Sequence, residues 1–161
     1  MSLPEEVLKV QLEDMWPVMK EQIDSGGSVR FGPKGISMLP LIRQGIDTVV
    51  LEKAPDSLKK YDIPLYRRKD GQFVLHRVVG INKNGYIMRG DNQVINEFNV
   101  THSQVLAVVT GFYRKDKYVS VNDPEYLKYV KKHMLSKNIS TFIVRVRSFL
   151  RRTAKKVLGK K

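Results

Sequence analysis

Three polar residues lie in short motifs that could carry out acyl-transfer chemistry: Ser37, His76 and Asp91. Ser37 stands between glycine and proline in the run Gly-Ile-Ser-Met-Leu-Pro at 35–40, which favours a loop that presents its hydroxyl. His76 lies in an apolar run with the alternation of a strand, and Asp91 supplies a carboxylate in a tight turn. A serine hydroxyl becomes a good nucleophile when a nearby base accepts its proton, and imidazole has a suitable pKa. Together these residues lead to the hypothesis of a serine peptidase, with Ser37 as nucleophile and His76 as base.

The elements that must position these residues are mainly strands. Short runs of alternating apolar residues predict strands at 29–31, 47–53, 63–67, 73–81, 86–89 and 105–113. Turns rich in Gly, Asp and Asn separate the runs, and the turn at 82–85 should close a hairpin. Because the strands are short, we expect a mainly β, α+β chain built on a coiled β-sheet or partly open barrel.

Helices are predicted at both ends of the chain. Apolar residues at helical spacing predict a helix over residues 4–24, and Pro17 should divide it into two pieces. Asp123 and Pro124 suit the start of a later helix that runs to about Leu135. We therefore divide the chain into an N-terminal helical segment (1–27), a β-domain (28–118), a helix (119–136) and a basic tail helix (137–161).

Basic residues are concentrated in that tail. The formal net charge is +13, but residues 137–161 hold nine Lys and Arg and no acid, which leaves 20 basic and 16 acidic residues, or +4, elsewhere. Apolar residues of the tail recur at helical spacing: Ile139, Phe142, Ile143, Val146, Phe149, Leu150, Val157 and Leu158. A basic amphipathic helix of this kind is typical of attachment to an anionic membrane surface. The alternative is a helix that packs on the body of the protein with its charges in solvent.

Several absences in the sequence bear on the class of protein. Without cysteine, the chain can form no disulfide and has no thiolate chemistry. The acidic N-terminal residues lack the features of a secretory signal, and no apolar run approaches the roughly 18 residues of a membrane-spanning helix. We expect a cytoplasmic location, with peripheral attachment at the inner face of the membrane as a further hypothesis.

Five motifs, in their order and spacing, resemble the superfamily of type I signal peptidases and LexA-type serine peptidases. They are Gly-Ile-Ser-Met-Leu-Pro at 35–40, Gly-Ile-Asp-Thr-Val-Val at 45–50, Tyr-Asp-Ile at 61–63, His-Arg-Val-Val at 76–79 and Gly-Asp-Asn at 90–92. The resemblance covers roughly residues 29–114. Many members use lysine as the base, and His76 makes this chain most similar to the endoplasmic-reticulum and sporulation-type signal peptidases.

The resemblance implies a fold and a set of roles. The fold would be the coiled sheet or partly open barrel of these peptidases. Ser37 would be the acylating nucleophile, His76 the general base and Asp91 the carboxylate that orients the imidazole, with the Ser37 N–H as an oxyanion donor. The substrate would be a leader or signal-like segment of a precursor protein, bound by strand addition. The residues expected to bind it are Val29, Arg30, Phe31 and Met38.

The chain departs from the superfamily pattern in three ways. Members usually have glycine where this chain has Tyr61, so this turn is expected to differ. Signal peptidases that process exported proteins carry a membrane-spanning anchor, and LexA-type repressors carry an N-terminal DNA-binding domain. We expect neither here, so the sequence resembles a stand-alone peptidase domain.

Other functions stay open at the level of the sequence. A non-catalytic peptide-binding or regulatory module could share the same fold. Lys34 is a second candidate base, although it precedes the serine. Nucleic-acid binding is less well supported, because the aromatic residues of the basic tail lie on its apolar stripe. His102 and His133 lack the spacing of metal ligands, so neither a metal nor a cofactor is implied.

Overall fold

Alternating apolar residues form nine strands between two helices in the part of the chain that the computed structural model describes, residues 12–158, with side chains described at 12–140, 142, 143, 146 and 147. Helix α1 spans Leu12–Asp24 and helix α2 spans Pro124–Leu158. A 3₁₀ turn at His102–Gln104 precedes the longest strand. The strands are β1 (Val29–Phe31), β2 (Asp47–Glu52), β3 (Pro64–Arg67), β4 (Phe73–Leu75), β5 (Arg77–Asn82), β6 (Gly85–Arg89), β7 (Glu97–Val100), β8 (Val105–Arg114) and β9 (Lys117–Ser120).

The strands form two antiparallel sheets. The larger sheet has the order β1-β2-β8-β3-β4, and β9 pairs with one end of β8. The smaller sheet has the order β5-β6-β7. The prediction of an α+β chain that is mostly sheet is confirmed. Both sheets are open, since β1 and β4 remain as edges of the larger one, and the strands do not close into a barrel.

Apolar residues that alternate with polar ones along the strands form the core. In β2, Val49 and Leu51 are fully buried and belong to one apolar cluster with Ile23 of α1 and Val130 of α2. A second cluster lies at the smaller sheet and includes Met88. Each such buried side chain stabilises the fold by about 1.5–3 kcal/mol, so burial holds both helices on the larger sheet.

Five of the six predicted strands occur within one residue of their predicted ends. The sixth, at 73–81, is instead two strands, because the chain leaves the larger sheet after β4 and enters the smaller sheet at β5. His76 lies at this crossing. The alternation of apolar residues continues through both strands, so it contains no sign of the change of sheet. Strands β7 and β9 were not predicted, since both are short and carry few buried residues.

The predicted division of the first helix at Pro17 is wrong. Over the described residues, α1 is one helix with Pro17 inside it. Pro17 is exposed, and the buried side chains of Met19 and Ile23 hold the following turns on the core. Proline removes one backbone hydrogen bond, and this packing outweighs the loss. The predicted segment 4–11 lies outside the described residues.

The two C-terminal helices predicted for 119–136 and 137–161 form one helix, α2, over Pro124–Leu158. No glycine or proline occurs between its first and last residues, so nothing interrupts it. With 35 residues it is about 50 Å long. None of the helices in residues 12–158 has the combined length and apolar character needed to cross a membrane.

The two halves of α2 differ in their surroundings. In the first half Tyr126, Val130 and Met134 are buried in the core. Arg89 of β6 donates a 2.9 Å hydrogen bond to the side chain of Asn138. Beyond this contact, the described apolar side chains of the tail are exposed: Ile139, Phe142, Ile143 and Val146.

Candidate active site

The loop that carries Ser37 is held by the turn after β6. The N–H of Asn92 donates to the Ser37 carbonyl at 2.8 Å, and the Asn92 side chain donates to the Ile36 carbonyl at 3.3 Å. Gly90 approaches so closely that a Cβ atom there would lie 2.6 Å from the Ser37 carbonyl oxygen. Any larger residue at this position would displace the loop. The motif at 90–92 therefore positions the candidate nucleophile.

His76 is buried where the chain crosses between the sheets, with 4% of its surface exposed. Burial and the nearby charge of Arg68 lower the pKa of His76 to about 4, whereas Glu97 and Asp91 act in the opposite direction. The imidazole is therefore neutral at pH 7. This is the form that accepts a proton.

Ser37 and His76 line the same cavity, which has a volume of about 260 Å³ and which we call the Ser37 cavity. Lys34 and Gln93 also line it. Among the described residues, neither the Ser37 hydroxyl nor Nε2 of His76 makes a hydrogen bond. Catalytic contacts of this kind often shorten only when substrate binds. The tertiary fold thus brings the predicted nucleophile and base together, with Lys34 as an exposed amine beside them.

A chain of polar side chains begins at the other nitrogen of the imidazole. Nδ1 of His76 lies 3.3 Å from the hydroxyl of Tyr66, which donates to Glu97 at 2.8 Å. Arg68 in turn donates to both carboxylate oxygens of Glu97, at 2.7–3.0 Å. We call Tyr66, Glu97 and Arg68 the polar chain of His76.

The charges of this polar chain follow from its contacts. Burial raises the pKa of the Tyr66 hydroxyl, and the hydrogen bond to Glu97 raises it further. For Glu97, burial favours a higher pKa, but hydrogen bonds from Arg68 and Tyr66 lower it below the usual value. At pH 7 Tyr66 is therefore a neutral phenol and Glu97 a carboxylate.

Asp91 is paired with Arg77, and among the described residues it makes no hydrogen bond to the imidazole of His76. Its two carboxylate oxygens accept hydrogen bonds from Arg77 at 2.8 and 2.7 Å, and both side chains are fully buried. Burial favours a lower pKa for Arg77, but its hydrogen bonds to Asp91 raise the pKa above the usual value. The predicted role of Asp91 in orienting His76 is thus corrected. Neighbouring residues of an extended chain point to opposite sides, so His76 and Arg77 meet different partners.

The side chain of Arg77 also connects the turn before β3 to helix α2. It donates to the carbonyl of Tyr61 at 2.9 Å and to the hydroxyl of Tyr126 at 3.1 Å. His133 of α2 lies 3.2 Å, through Nε2, from the carbonyl oxygen of Asp91. The buried ion pair therefore connects the turn after β6, which holds Ser37, to three other parts of the fold.

Tyr61 adopts a backbone conformation that glycine favours. Its φ is +83°, in the left-handed region that glycine adopts without strain. Its N–H donates to the carbonyl of Val78 at 2.8 Å, and its carbonyl accepts from Arg77. These hydrogen bonds fix the turn beside β5 although the residue is not glycine.

The residues predicted to bind substrate lie at one edge of the larger sheet and beside the nucleophile. Val29 and Phe31 are half-buried in the edge strand β1, and Met38 is buried at the Ser37 cavity. Arg30 is engaged on the exposed side, where it donates to the Thr48 hydroxyl at 2.7 Å and lies over the ring of Tyr113.

A second cavity extends from β1 toward Ser37. It has a volume of about 200 Å³, and its walls include Phe31 of β1 and Phe73 and Leu75 of β4. The two opposite edges of the larger sheet therefore face one groove. Phe73 and Leu75 also line the Ser37 cavity, so the two cavities adjoin.

The sequence did not reveal the polar chain of His76 or Gln93. Tyr66 lies in a predicted strand and Glu97 in an unpredicted one, and the two strands belong to different sheets. No local pattern could indicate that contact. The sequence did draw attention to Arg77, since it directly follows His76 in the motif at 76–79. It did not indicate that Asp91 is its partner.

Among the described residues, no group of three or more His, Asp and Glu side chains is arranged to hold a metal ion. Comparisons of the chain with models of protein families, with curated proteins and with solved structures found no match.

Proposed function

We propose that this chain is a serine endopeptidase of the signal peptidase and LexA type that cleaves a leader or signal-like peptide. The observation that carries the proposal is the meeting of Ser37 and a neutral, buried His76 in one cavity. The two residues are distant in sequence, and each was proposed for its role from its own motif. The superfamily fold and the five motifs belong to the same proposal.

The reaction proceeds through an acyl-enzyme. Nε2 of His76 takes the hydroxyl proton of Ser37 as Oγ attacks the scissile carbonyl carbon. The imidazolium then protonates the leaving amine as the C–N bond breaks, which leaves an ester on Ser37. Water attacks this ester, giving its proton to His76, and Ser37 leaves with a proton from the imidazolium. Each proton that His76 accepts is thus returned.

The oxyanion of each tetrahedral intermediate needs hydrogen-bond donors. The N–H of Ser37 donates to no protein group among the described residues, so it is free to serve. Gln93 lines the same cavity, and its Oε1 accepts from the N–H of Gly90 at 3.3 Å. Its NH₂ group then supplies the second donor.

The groove between β1 and β4 receives the substrate in extended form. Both strands are edges of the larger sheet, so each has unpaired backbone groups that an extended peptide can bind. The apolar walls provided by Phe31, Phe73 and Leu75 favour apolar side chains of the substrate.

The test is acylation of Ser37 by a fluorophosphonate probe, located by mass spectrometry. We expect one adduct, on Ser37, in the full chain. Ser37→Ala should abolish labelling, and His76→Ala should slow it by about 10²–10⁴, the usual contribution of a general base. Ser103, which lies exposed in the 3₁₀ turn, provides the control Ser103→Ala, and this change should leave labelling unaltered. Labelling that persists undiminished without Ser37 would rule out the nucleophile.

Cleavage of a peptide library by the same variants completes the test. Ser37→Ala and His76→Ala should reduce cleavage to a similar extent, and the double variant should be little worse, because the two residues act as a unit. Multiplicative losses would contradict the dyad. Peptide binding without acylation or cleavage would instead identify the non-catalytic module.

A second proposal concerns location: the tail attaches the domain to an anionic membrane surface. It is supported by the exposure of Ile139, Phe142, Ile143 and Val146, whose packing on the body would have been the alternative. The nine basic residues of 137–161 add attraction to acidic lipids. Phe149, Leu150, Val157 and Leu158 complete the predicted stripe, and their side chains lie outside the described set.

A further inference from the structure

The hydroxyl of Tyr66 has one proton and lies close to two atoms that could accept it. It lies 2.8 Å from Oε2 of Glu97 and 3.3 Å from Nδ1 of His76. A carboxylate is a stronger acceptor than a neutral imidazole nitrogen, and Glu97 is the closer of the two. Tyr66 therefore donates to Glu97 and turns a lone pair toward the imidazole.

This arrangement determines which nitrogen of His76 is protonated. A neutral imidazole has one N–H and one acceptor nitrogen. Because the Tyr66 oxygen can only accept from the imidazole, the proton resides on Nδ1 and the lone pair on Nε2. Nε2 is also the nitrogen without a hydrogen-bond partner among the described residues. It is thus the nitrogen available to a proton of Ser37.

We propose that Glu97, acting through Tyr66, holds His76 in the tautomer whose Nε2 can accept the proton of Ser37. Tyr66 and Glu97 are positioning residues, and Glu97 takes the place for which the sequence suggested Asp91. The catalytic consequence rests on the proposed function, whereas the tautomer itself does not.

The contact depends on both sheets. Tyr66 belongs to β3 of the larger sheet and Glu97 to β7 of the smaller one, and His76 lies where the chain passes between them. Arg68 holds the Glu97 carboxylate with three short contacts, so that one oxygen remains directed at Tyr66. Each end of the polar chain is thereby anchored to the fold.

The polar chain also lies within the charged surroundings of the imidazole. Arg68 disfavours its protonation, while Glu97 and Asp91 favour it, and the charge of Asp91 is balanced by Arg77. When His76 receives a proton, Nδ1–H, Tyr66 and Glu97 form a continuous path from the new cation to a carboxylate. An apolar residue at 97 would break this path.

The direct test is the ¹⁵N NMR spectrum of the histidine side chains in the full-length chain at pH 7. Only three histidines occur, and single His→Gln variants assign them. We expect His76 to show a protonated Nδ1 and an unprotonated Nε2. In Glu97→Leu, residue 97 offers Tyr66 no acceptor, so the phenol proton turns to Nδ1 and the tautomer shifts toward Nε2–H. Tyr66→Phe should leave a mixture of the two tautomers.

The kinetic test is the rate at which Ser37 is acylated by the fluorophosphonate probe. A wrong tautomer costs up to about 10⁴ in a serine triad, so we expect Glu97→Leu to slow acylation at pH 7 by about 10-fold or more. Acylation needs neutral His76, so its rate falls as the pH drops through the histidine pKa. Arg68→Gln removes a charge that lowers this pKa, and should therefore move the acidic fall of the rate to higher pH.

Tyr86 offers a matched control. Its hydroxyl lies 3.1 Å from Nδ1 of His102 and also accepts from the N–H of Leu58, so Tyr86→Phe removes a comparable tyrosine–histidine contact elsewhere. This variant should leave the His76 tautomer and the acylation rate unchanged. Glu97 is partly exposed, so Glu97→Leu should fold even if Tyr66→Phe does not.

The outcomes separate the two proposals. A wild-type His76 protonated on Nε2, or a tautomer unaffected by Glu97→Leu in a folded protein, would overturn the role of Glu97. The expected tautomer in a protein whose Ser37 cannot be acylated would support the role of Glu97 and count against the peptidase instead.

Discussion

At the scale of single residues, the arrangement around His76 differs from a triad with a directly bound carboxylate. The imidazole of His76 is connected to Glu97 through the hydroxyl of Tyr66. The aspartate of the motif at 90–92, Asp91, forms an ion pair with Arg77 instead. The motifs at 76–79 and 90–92 therefore have different roles. The motif at 90–92 positions Ser37, while the histidine obtains its hydrogen bond from another strand.

Asp91→Asn should act mainly on stability. The change leaves the fully buried Arg77 without its carboxylate, and loss of one partner of a buried pair costs about 3–5 kcal/mol. We expect urea unfolding to show a loss of this size, while acylation of the folded protein falls much less than in His76→Ala.

Asp47→Asn is a suitable comparison for that variant. Asp47 is equally buried, but its partner Arg43 is partly exposed and can turn to water, so the loss of stability should be smaller. Full stability of Asp91→Asn combined with loss of acylation would restore the original role of Asp91 as the partner of the base.

At the scale of elements, short contacts between turns align the strands that carry the site. The turn at Tyr61 pairs with β5 just after His76, and the turn at Gly90 presses on the Ser37 loop. The turn at Tyr61 needs a left-handed backbone conformation, and the turn at Gly90 needs a residue without a side chain. They should therefore tolerate substitution poorly, for reasons that do not involve catalysis.

Tyr61 allows a measurement of this backbone constraint. A left-handed conformation costs a non-glycine residue about 1–2 kcal/mol, so Tyr61→Ala loses packing and keeps the strain, whereas Tyr61→Gly loses the packing but relieves the strain. Glycine also has a larger entropy in the unfolded chain. On balance Tyr61→Gly should be more stable than Tyr61→Ala by up to about 1 kcal/mol in urea unfolding.

Lys60 provides the control pair for this comparison. It is exposed and its φ is not positive, so Lys60→Ala should be at least as stable as Lys60→Gly. An alanine variant at 61 that matches or exceeds the glycine variant would show that the left-handed backbone carries no strain there.

At the scale of the whole molecule, the C-terminal half of α2 combines a concentration of basic residues with exposed apolar side chains. The core ends near Met134, and the last described contact with the sheets is that of Arg89 with Asn138. The described apolar side chains beyond it are exposed and can therefore contact another surface.

Sedimentation with liposomes tests the membrane proposal. The full chain should bind anionic liposomes far more than neutral ones, and salt should weaken the binding, since each Lys or Arg contributes about 1 kcal/mol near such a surface. Replacing Ile139, Phe142, Ile143 and Val146 together by Gln should reduce binding by about 10-fold or more, because buried apolar side chains provide about 1.5–3 kcal/mol each.

The control replaces two exposed apolar residues of the β-region, Ile46 and Ile81, by Gln. This variant should bind as the full chain does. Equal binding of the tail variant and the full chain to anionic liposomes would exclude the apolar stripe as the attachment surface.

The sequence by itself determined the local features of this protein. Alternating apolar residues were enough to predict most strands, because burial of one sheet face imposes a period of two. The presentation of Ser37 in a loop and the basic, amphipathic character of the tail were equally visible. Each of these properties depends on residues that are close together in the chain.

Only the tertiary structure decided which distant residues meet. It divided the apolar run 73–81 at His76, joined Asp91 to Arg77, and brought Tyr66 and Glu97 from different sheets to the imidazole. It also left the described apolar side chains after Asn138 exposed, namely Ile139, Phe142, Ile143 and Val146. Strand pairing and side-chain partners depend on the packing of the whole chain, so no local pattern of residues could contain them.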